Sequence, residues 1–323
     1  MIWGIDVGGT NIKLGLFLNE QLINHFAIPT NITNKGEEIL KEIKDFILNY
    51  HEENEIPFSN VKGIGFGVPG PVKDNFIIRC PNIGWENKYL VKEFKELLNI
   101  DIPVYVANDA NMAAFGEYKK LNIKENIVFI TLGTGVGGAV IVDGKILEGS
   151  HGSAAELGHI QVDYINPQKC SCGLTGCLET VCAINGLIYL AKKAYYKKEF
   201  KTSLTKYELR PIEIFEAAKK GDELALAIVK EYTDYLAKGA ATTAIITDPS
   251  VVLIGGGISN AGEILLTNLK EAYLKHAHYG VKDVKFELAK LGNQAGMYGA
   301  YYLVKENVWK VLYYKTFWKI KLP

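Results

Sequence analysis

Apolar and polar positions along this chain alternate with two periods, and the switches between them mark out the elements. Over residues 2–28 the period is two, interrupted at "DVGGT", which predicts a strand, a glycine turn, a second strand and a third. Over 36–50, "GEEILKEIKDFILNY", the period lengthens and puts Ile39, Leu40, Ile43, Phe46 and Ile47 on one helical face. "VKGIGFGVPGPV" predicts a short buried strand ending in a Gly/Pro loop, and "NKYLVKEFKELLNI" a second amphipathic helix. "DIPVYVANDANMAAFGEYKKL" predicts a strand running into a helix near Asn108. Strands interleaved with helices indicate the α/β class.

The pattern then restarts. "NIVFITLGTGVGGAVIVDGKIL" repeats the order strand, glycine loop, strand, tight turn, strand, with Asp143-Gly144 as a hairpin signal. This predicts an internal duplication: two α/β domains on one plan, with a cleft between them. The expected division is 1–115, completed by a segment after about residue 295, and 116–295. Residues 185–246 read as mostly helical, and "PSVVLIGGGISNAG" as a buried strand, a glycine triplet and a helix start. In the atypical extension 304–323, "VWKVLYYKTFWKIKLP" alternates roughly, which predicts an edge strand packed on its own domain or a partner-binding tail.

Composition narrows the function classes. The 323 residues are 48% apolar, enough for a substantial core. Formal net charge is zero, which argues against a general nucleic-acid binder. No apolar run approaches the roughly 20 residues of a membrane span. The N-terminus lacks a basic region and meets a glycine turn by residue 8, so it does not read as a signal peptide, and a cytoplasmic location is expected. Cysteines there are reduced more often than paired.

Glycine loops carry the first chemical signal. In "DVGGT", Gly8 and Gly9 expose backbone N–H groups, Thr10 adds a hydroxyl, and Asp6 would repel phosphate unless Mg²⁺ lies between. "LGTGVGG", with Gly133, Thr134 and Gly135, offers the same chemistry. Gly255, Gly256 and Gly257 follow a buried strand. None is a P-loop, which needs Lys-Ser/Thr after its glycines, and "LGTGVGG" runs on into a strand rather than a helix. Two such hairpins on duplicated domains suggest a nucleotide held between them.

Other residues carry acid–base and ligand chemistry. Asp109, at a strand-to-helix junction, reads either as a helix N-cap or as the carboxylate that accepts a hydroxyl proton in phosphoryl transfer. Glu156 and His159 in "AAELGHI" would share one face of a helical turn. Cys170, Cys172 and Cys177 supply three of the four ligands of a tetrahedral zinc site, with His159 or Cys182 as the fourth.

Taken in order, "DVGGT", "NDANMAAFGEY", "TLGTGVGGAV", "AELGH" and "CSCGLTGCLE" resemble the ROK family of sugar kinases and repressors over residues 2–303. That resemblance implies the two-domain actin/hexokinase-like (ribonuclease H-like) ATPase fold. It implies Mg-ATP bound by Asp6, Gly8, Gly9, Thr10, Lys13, Gly133, Thr134, Gly135, Gly255, Gly256 and Gly257. A hexose, glucose first, would contact Gly70, Asn82, Asn108, Asp109, Glu156, His159 and Glu179, with Asp109 as general base. Structural zinc would sit on His159, Cys170, Cys172 and Cys177. A homodimer or higher homo-oligomer is a family expectation. N-acetylmannosamine and fructose are the alternative sugars. The family's repressors carry a DNA-binding domain ahead of the "DxGGT" loop, which begins here at residue 6, so a repressor is not expected.

Overall fold

The computed structural model describes residues 1–319. They pack as two compact units. Residues 1–123, 148–154 and those from 293 onward form unit 1; residues 124–147 and 155–292 form unit 2.

Unit 1 runs β1 (Ile2–Val7), β2 (Asn11–Leu18), β3 (Gln21–Pro29), α1 (Ile39–Glu53), β4 (Ile64–Val68), β5 (Val72–Lys73), β6 (Phe76–Cys80), β7 (Trp85–Lys88), α2 (Leu90–Leu98), β8 (Val104–Asn108) and α3 (Asp109–Lys120). Five strands form a sheet in the order β3-β2-β1-β4-β8, antiparallel across the hairpins and parallel from β1 through β8. The two-residue period of β1 sorts its side chains. Trp3, Ile5 and Val7 join α1 and α2 in one core, while Gly4 and Asp6 lie on the other face. Strands β5–β7 form a small separate antiparallel sheet. The sequence pattern predicts no strand between the Gly/Pro loop and the helix that follows, because strands of two to five residues show no usable alternation.

Unit 2 runs β9 (Ile127–Leu132), β10 (Val136–Val142), β11 (Lys145–Ile146), α4 (Leu178–Cys182), α5 (Ile184–Lys197), α6 (Pro211–Lys219), α7 (Glu223–Thr247), β12 (Val251–Gly255), α8 (Glu263–His276) and β13 (Lys285–Leu288). Its sheet, β11-β10-β9-β12-β13, repeats the plan of unit 1 strand for strand, antiparallel then parallel. The duplication extends to single positions. Asp6 pairs with Lys13 and with Gly67, while Thr131 pairs with Gly137 and with Gly255. The helices α4–α8 cover the sheet face carrying Val128, Ile130, Leu132, Val252 and Ile254. Asp222 caps α7 by accepting the Ala225 N–H, and Gly221 breaks the chain between α6 and α7.

The last helix, α9 (Ala295–Lys319), belongs with unit 1. It lies directly on the glycine face of the first sheet: a side chain at Gly65 would collide with the Ala300 carbonyl, and one at Gly299 with the Met112 carbonyl. Lys119 on α3 pairs with Glu306 on α9. The edge strand expected of residues 305–319 is therefore corrected to helix. Nothing after Gly299 interrupts the helical ladder up to Lys319, and the Lys/aromatic mix fits either period. Lys321 is outside the described residues. Among those residues, no helix is long and apolar enough to cross a membrane.

Candidate active site

The β1–β2 turn of unit 1 is built by local pairing. The Gly8 N–H donates to the Asn11 carbonyl at 3.0 Å, and the Thr30 hydroxyl to the Gly8 carbonyl at 2.6 Å. Gly9 and Thr10 stay exposed at its tip. Behind them Asp6 is held by Lys13, Nζ to Oδ2 at 3.3 Å. Burial raises the Asp6 pKa, and the Lys13 charge and hydrogen bond oppose that rise. Asn82 lies beside Gly9, close enough that a Cβ there would meet it at 3.5 Å.

The β8–α3 junction divides labour between two neighbours. Asn108 is the N-cap: its Oδ1 accepts the Asn111 N–H at 3.0 Å. Its Nδ2 donates to the Gly70 carbonyl at 3.1 Å. Gly70 has φ +87°, and a side chain there would strike the Arg79 carbonyl, so its backbone alone is what this position can offer. Asp109 follows the cap. It sits in the first helical turn, where its Oδ1 accepts the Ala110 N–H at 2.8 Å and the helix dipole favours its anion. Close by is Cys80, which sequence reasoning passed over. Burial, with the Asp109 charge adding, pushes its thiol up to about 12, and it donates to the Pro69 carbonyl. A thiol held protonated there is a packing group rather than a nucleophile.

In unit 2 the β9–β10 turn is tied from within and without. Gly133 N–H donates to the Gly135 carbonyl at 3.0 Å, and Ile184 N–H to the Gly133 carbonyl at 2.9 Å. Thr134 is exposed, and open space lies where side chains would stand at Gly133 and Gly257. Gly256, at φ +81°, packs on the backbone of Leu132. The glycine triplet and the β9–β10 turn are therefore adjacent.

The sequence spacing suggested a helical turn for Glu156 and His159. The segment is instead a 3-10 turn, Leu157–His159, closed by the His159 N–H on the Glu156 carbonyl at 3.1 Å. With three residues per turn, residues 156 and 159 still stack in one column. The Glu156 side chain reaches solvent, yet the surrounding protein raises its carboxyl pKa; His159 opposes and Glu179 adds to the rise.

His159 also faces the cysteines. Its Nδ1 is 3.6 Å from Cys170 Sγ, Cys172 Sγ is 3.7 Å from Cys177 Sγ, and all four ligand atoms lie within 4.8 Å of one another. Tetrahedral zinc with bonds of about 2.3 Å to sulfur separates its ligands by about 3.8 Å. The donor set and its spacing therefore fit zinc, and they do not fit a disulfide, whose sulfurs would be about 2.05 Å apart. Cys182 is fully buried and turned to the Tyr232 carbonyl at 3.8 Å, which leaves the fourth place to His159. Glu179, two residues past Cys177, accepts the Val136 N–H at 3.1 Å and the Ser171 hydroxyl at 3.4 Å.

A sequence profile of the ROK family matches residues 2–307. A glucokinase of Halalkalibacterium halodurans is 36% identical over 317 residues, covering 94% of each chain. An N-acetyl-D-glucosamine kinase of Citrobacter koseri is 30% identical over 318 residues, covering 94% of this chain and 99% of the relative. Among solved structures, a ROK glucokinase from Streptomyces griseus in complex with glucose and AMPPNP superposes with a TM-score of 0.76 at 30% identity. It matches over 94% of this chain and 99% of its own.

Proposed function

The chain belongs to the ROK family and is a sugar kinase, and on that premise we propose that it transfers the γ-phosphoryl group of ATP to the 6-hydroxyl of glucose. Asp109 is the general base. The observation that carries this assignment is position: Asp109 directly follows the Asn108 cap at the end of β8, in the first turn of α3, beside the Asn108 bond to the Gly70 backbone. The first turn of a helix favours a carboxylate anion, and such a group can orient a hydroxyl and take its proton as the phosphoryl group moves.

Unit 1 contributes Asn82, Asn108, Asp109 and the Gly70 backbone to the sugar, and Asp6, Gly8, Gly9, Thr10 and Lys13 to the phosphates. Asn108 spends one acceptor and one donor on structure, which leaves an N–H and a lone pair for sugar hydroxyls. Unit 2 contributes Glu156, His159 and Glu179 to the sugar, and Gly133, Thr134, Gly135 and Gly255–Gly257 to the nucleotide. With Nδ1 of His159 turned to the cysteines, Nε2 is the nitrogen available to a sugar hydroxyl. Mg²⁺ bound with ATP would supply charge neutralisation on the phosphates, and Asp6 would be the residue that holds it. Zinc supplies a fixed geometry for the segment that presents His159 and Glu179.

A coupled assay of ADP release over glucose, N-acetylglucosamine, N-acetylmannosamine, fructose and 6-deoxyglucose tests this reading. Glucose should give the highest kcat/KM and 6-deoxyglucose no release. A preference for an N-acetyl sugar would move the assignment to that kinase class. Release that ignores sugar would remove the kinase reading altogether.

A further inference from the structure

Gly135 has no positive φ, and a Cβ there would stand 2.5 Å from Oε2 of Glu179, so a side chain at this position would displace that carboxylate. That carboxylate comes from 43 residues further along the chain, in the first turn of α4. Its two oxygens face different partners. Oε2 accepts the N–H of Val136, the residue that closes the glycine turn. Oε1 accepts the hydroxyl of Ser171, which lies between Cys170 and Cys172. The same segment reaches the turn a second time through Ile184 N–H on the Gly133 carbonyl. A turn of glycines has little side-chain packing of its own, and open space flanks Gly133. Beyond the bond within it from Gly133 N–H to the Gly135 carbonyl, these outside hydrogen bonds hold it, and a bond to a carboxylate is the stronger kind.

We propose that Glu179 is a positioning residue for the nucleotide turn Leu132–Gly138, through which the Cys₃His cluster governs affinity for ATP and not for the sugar alone. This rests on reading that turn as a phosphate-binding element. Glu179 acts from behind the turn: it fixes the backbone whose remaining N–H groups meet phosphate. Zinc loss would reach the nucleotide by way of Ser171 and Glu179.

The test is calorimetric titration of Mg·AMPPNP without sugar, and of glucose without nucleotide, on the full chain. Glu179→Ala should weaken AMPPNP about tenfold, as expected for loss of a hydrogen bond to a charged group. Glu179→Gln, whose amide oxygen can still accept the Val136 N–H, should restore most of that affinity. Ser171→Ala, which removes only the outer tether, should weaken AMPPNP by a smaller factor and covers the case in which Glu179→Ala fails to fold. Stripping zinc with a chelator and resupplying Mg²⁺ should weaken AMPPNP in the wild type, and add little in Glu179→Ala. If Glu179→Ala and Ser171→Ala bind AMPPNP as the wild type does while glucose affinity falls, Glu179 serves the sugar alone and the proposal is overturned. If the wild type binds glucose but no AMPPNP, the phosphate reading of the turn fails, and the proposal with it.

Discussion

The two sheets share one plan, yet their first hairpins are armed differently. In unit 1 the acid at the end of the first strand, Asp6, faces its cation, Lys13, directly across the hairpin. The matching positions in unit 2 are Thr131 and Gly137, and the carboxylate arrives from Glu179 on the cysteine-bearing segment. The first hairpin is completed by neighbours in sequence. The second is completed by a segment distant in sequence, which carries four side chains that could hold a metal ion. The two hairpins share their backbone plan and differ in the source of the charge. One hairpin should therefore tolerate metal loss and the other should not.

The largest expected effect belongs to neither hairpin and sets the scale. Asp109→Asn should lower kcat by about 10²–10⁴-fold, the usual contribution of a general base. Glucose affinity and the melting temperature should stay near wild type, since the cap is Asn108. Next comes the metal. Cys177→Ser or zinc stripping should lower the melting temperature, because ligand binding to the folded state is stabilisation lost on removal. Hydrogen exchange should then rise in 132–138 and 157–184 and stay unchanged in the hairpin of β1 and β2. Equal loss of protection in both hairpins would erase the contrast between them.

Lys13→Met probes the other half. Burial already raises the Asp6 pKa, and Lys13 holds it down. Removing the cation should raise it further, so more protons must be removed before Asp6 is ionised. The acid limb of the pH profile of kcat/KM for ATP should move to higher pH, with exchange at 132–138 unaltered. The smallest effect is on stability. Asn108→Ala should cost about 1 kcal/mol through the lost cap, read by denaturant unfolding, and Asn108→Asp should recover most of it.

The paired hairpins were legible because their signals are local: a two-residue period, glycine turns, and Asp143-Gly144, which adopts φ +51° and +72° in the turn predicted for it. The small sheet of β5–β7 left no such trace, since its strands run from two to five residues and β7 is polar apart from Trp85. At the site, the Cys/His spacing singled out the residues that lie together, but not whether His159 or Cys182 was the fourth. The approach of His159 to Cys170 and the burial of Cys182 against Tyr232 separate them. Asn108 and Asp109 were ambiguous because both are good caps. The Glu179–Val136 bond spans 43 residues, beyond any local pattern.

The measurement that bears most directly on the account is proton-coupled ³¹P NMR of the product formed from ATP and glucose. The account predicts a phosphomonoester resonance split by the two protons on C6, absent from the Asp109→Asn reaction over the same time. Inorganic phosphate alone, a phosphate coupled to a different carbon, or undiminished product from Asp109→Asn would contradict it.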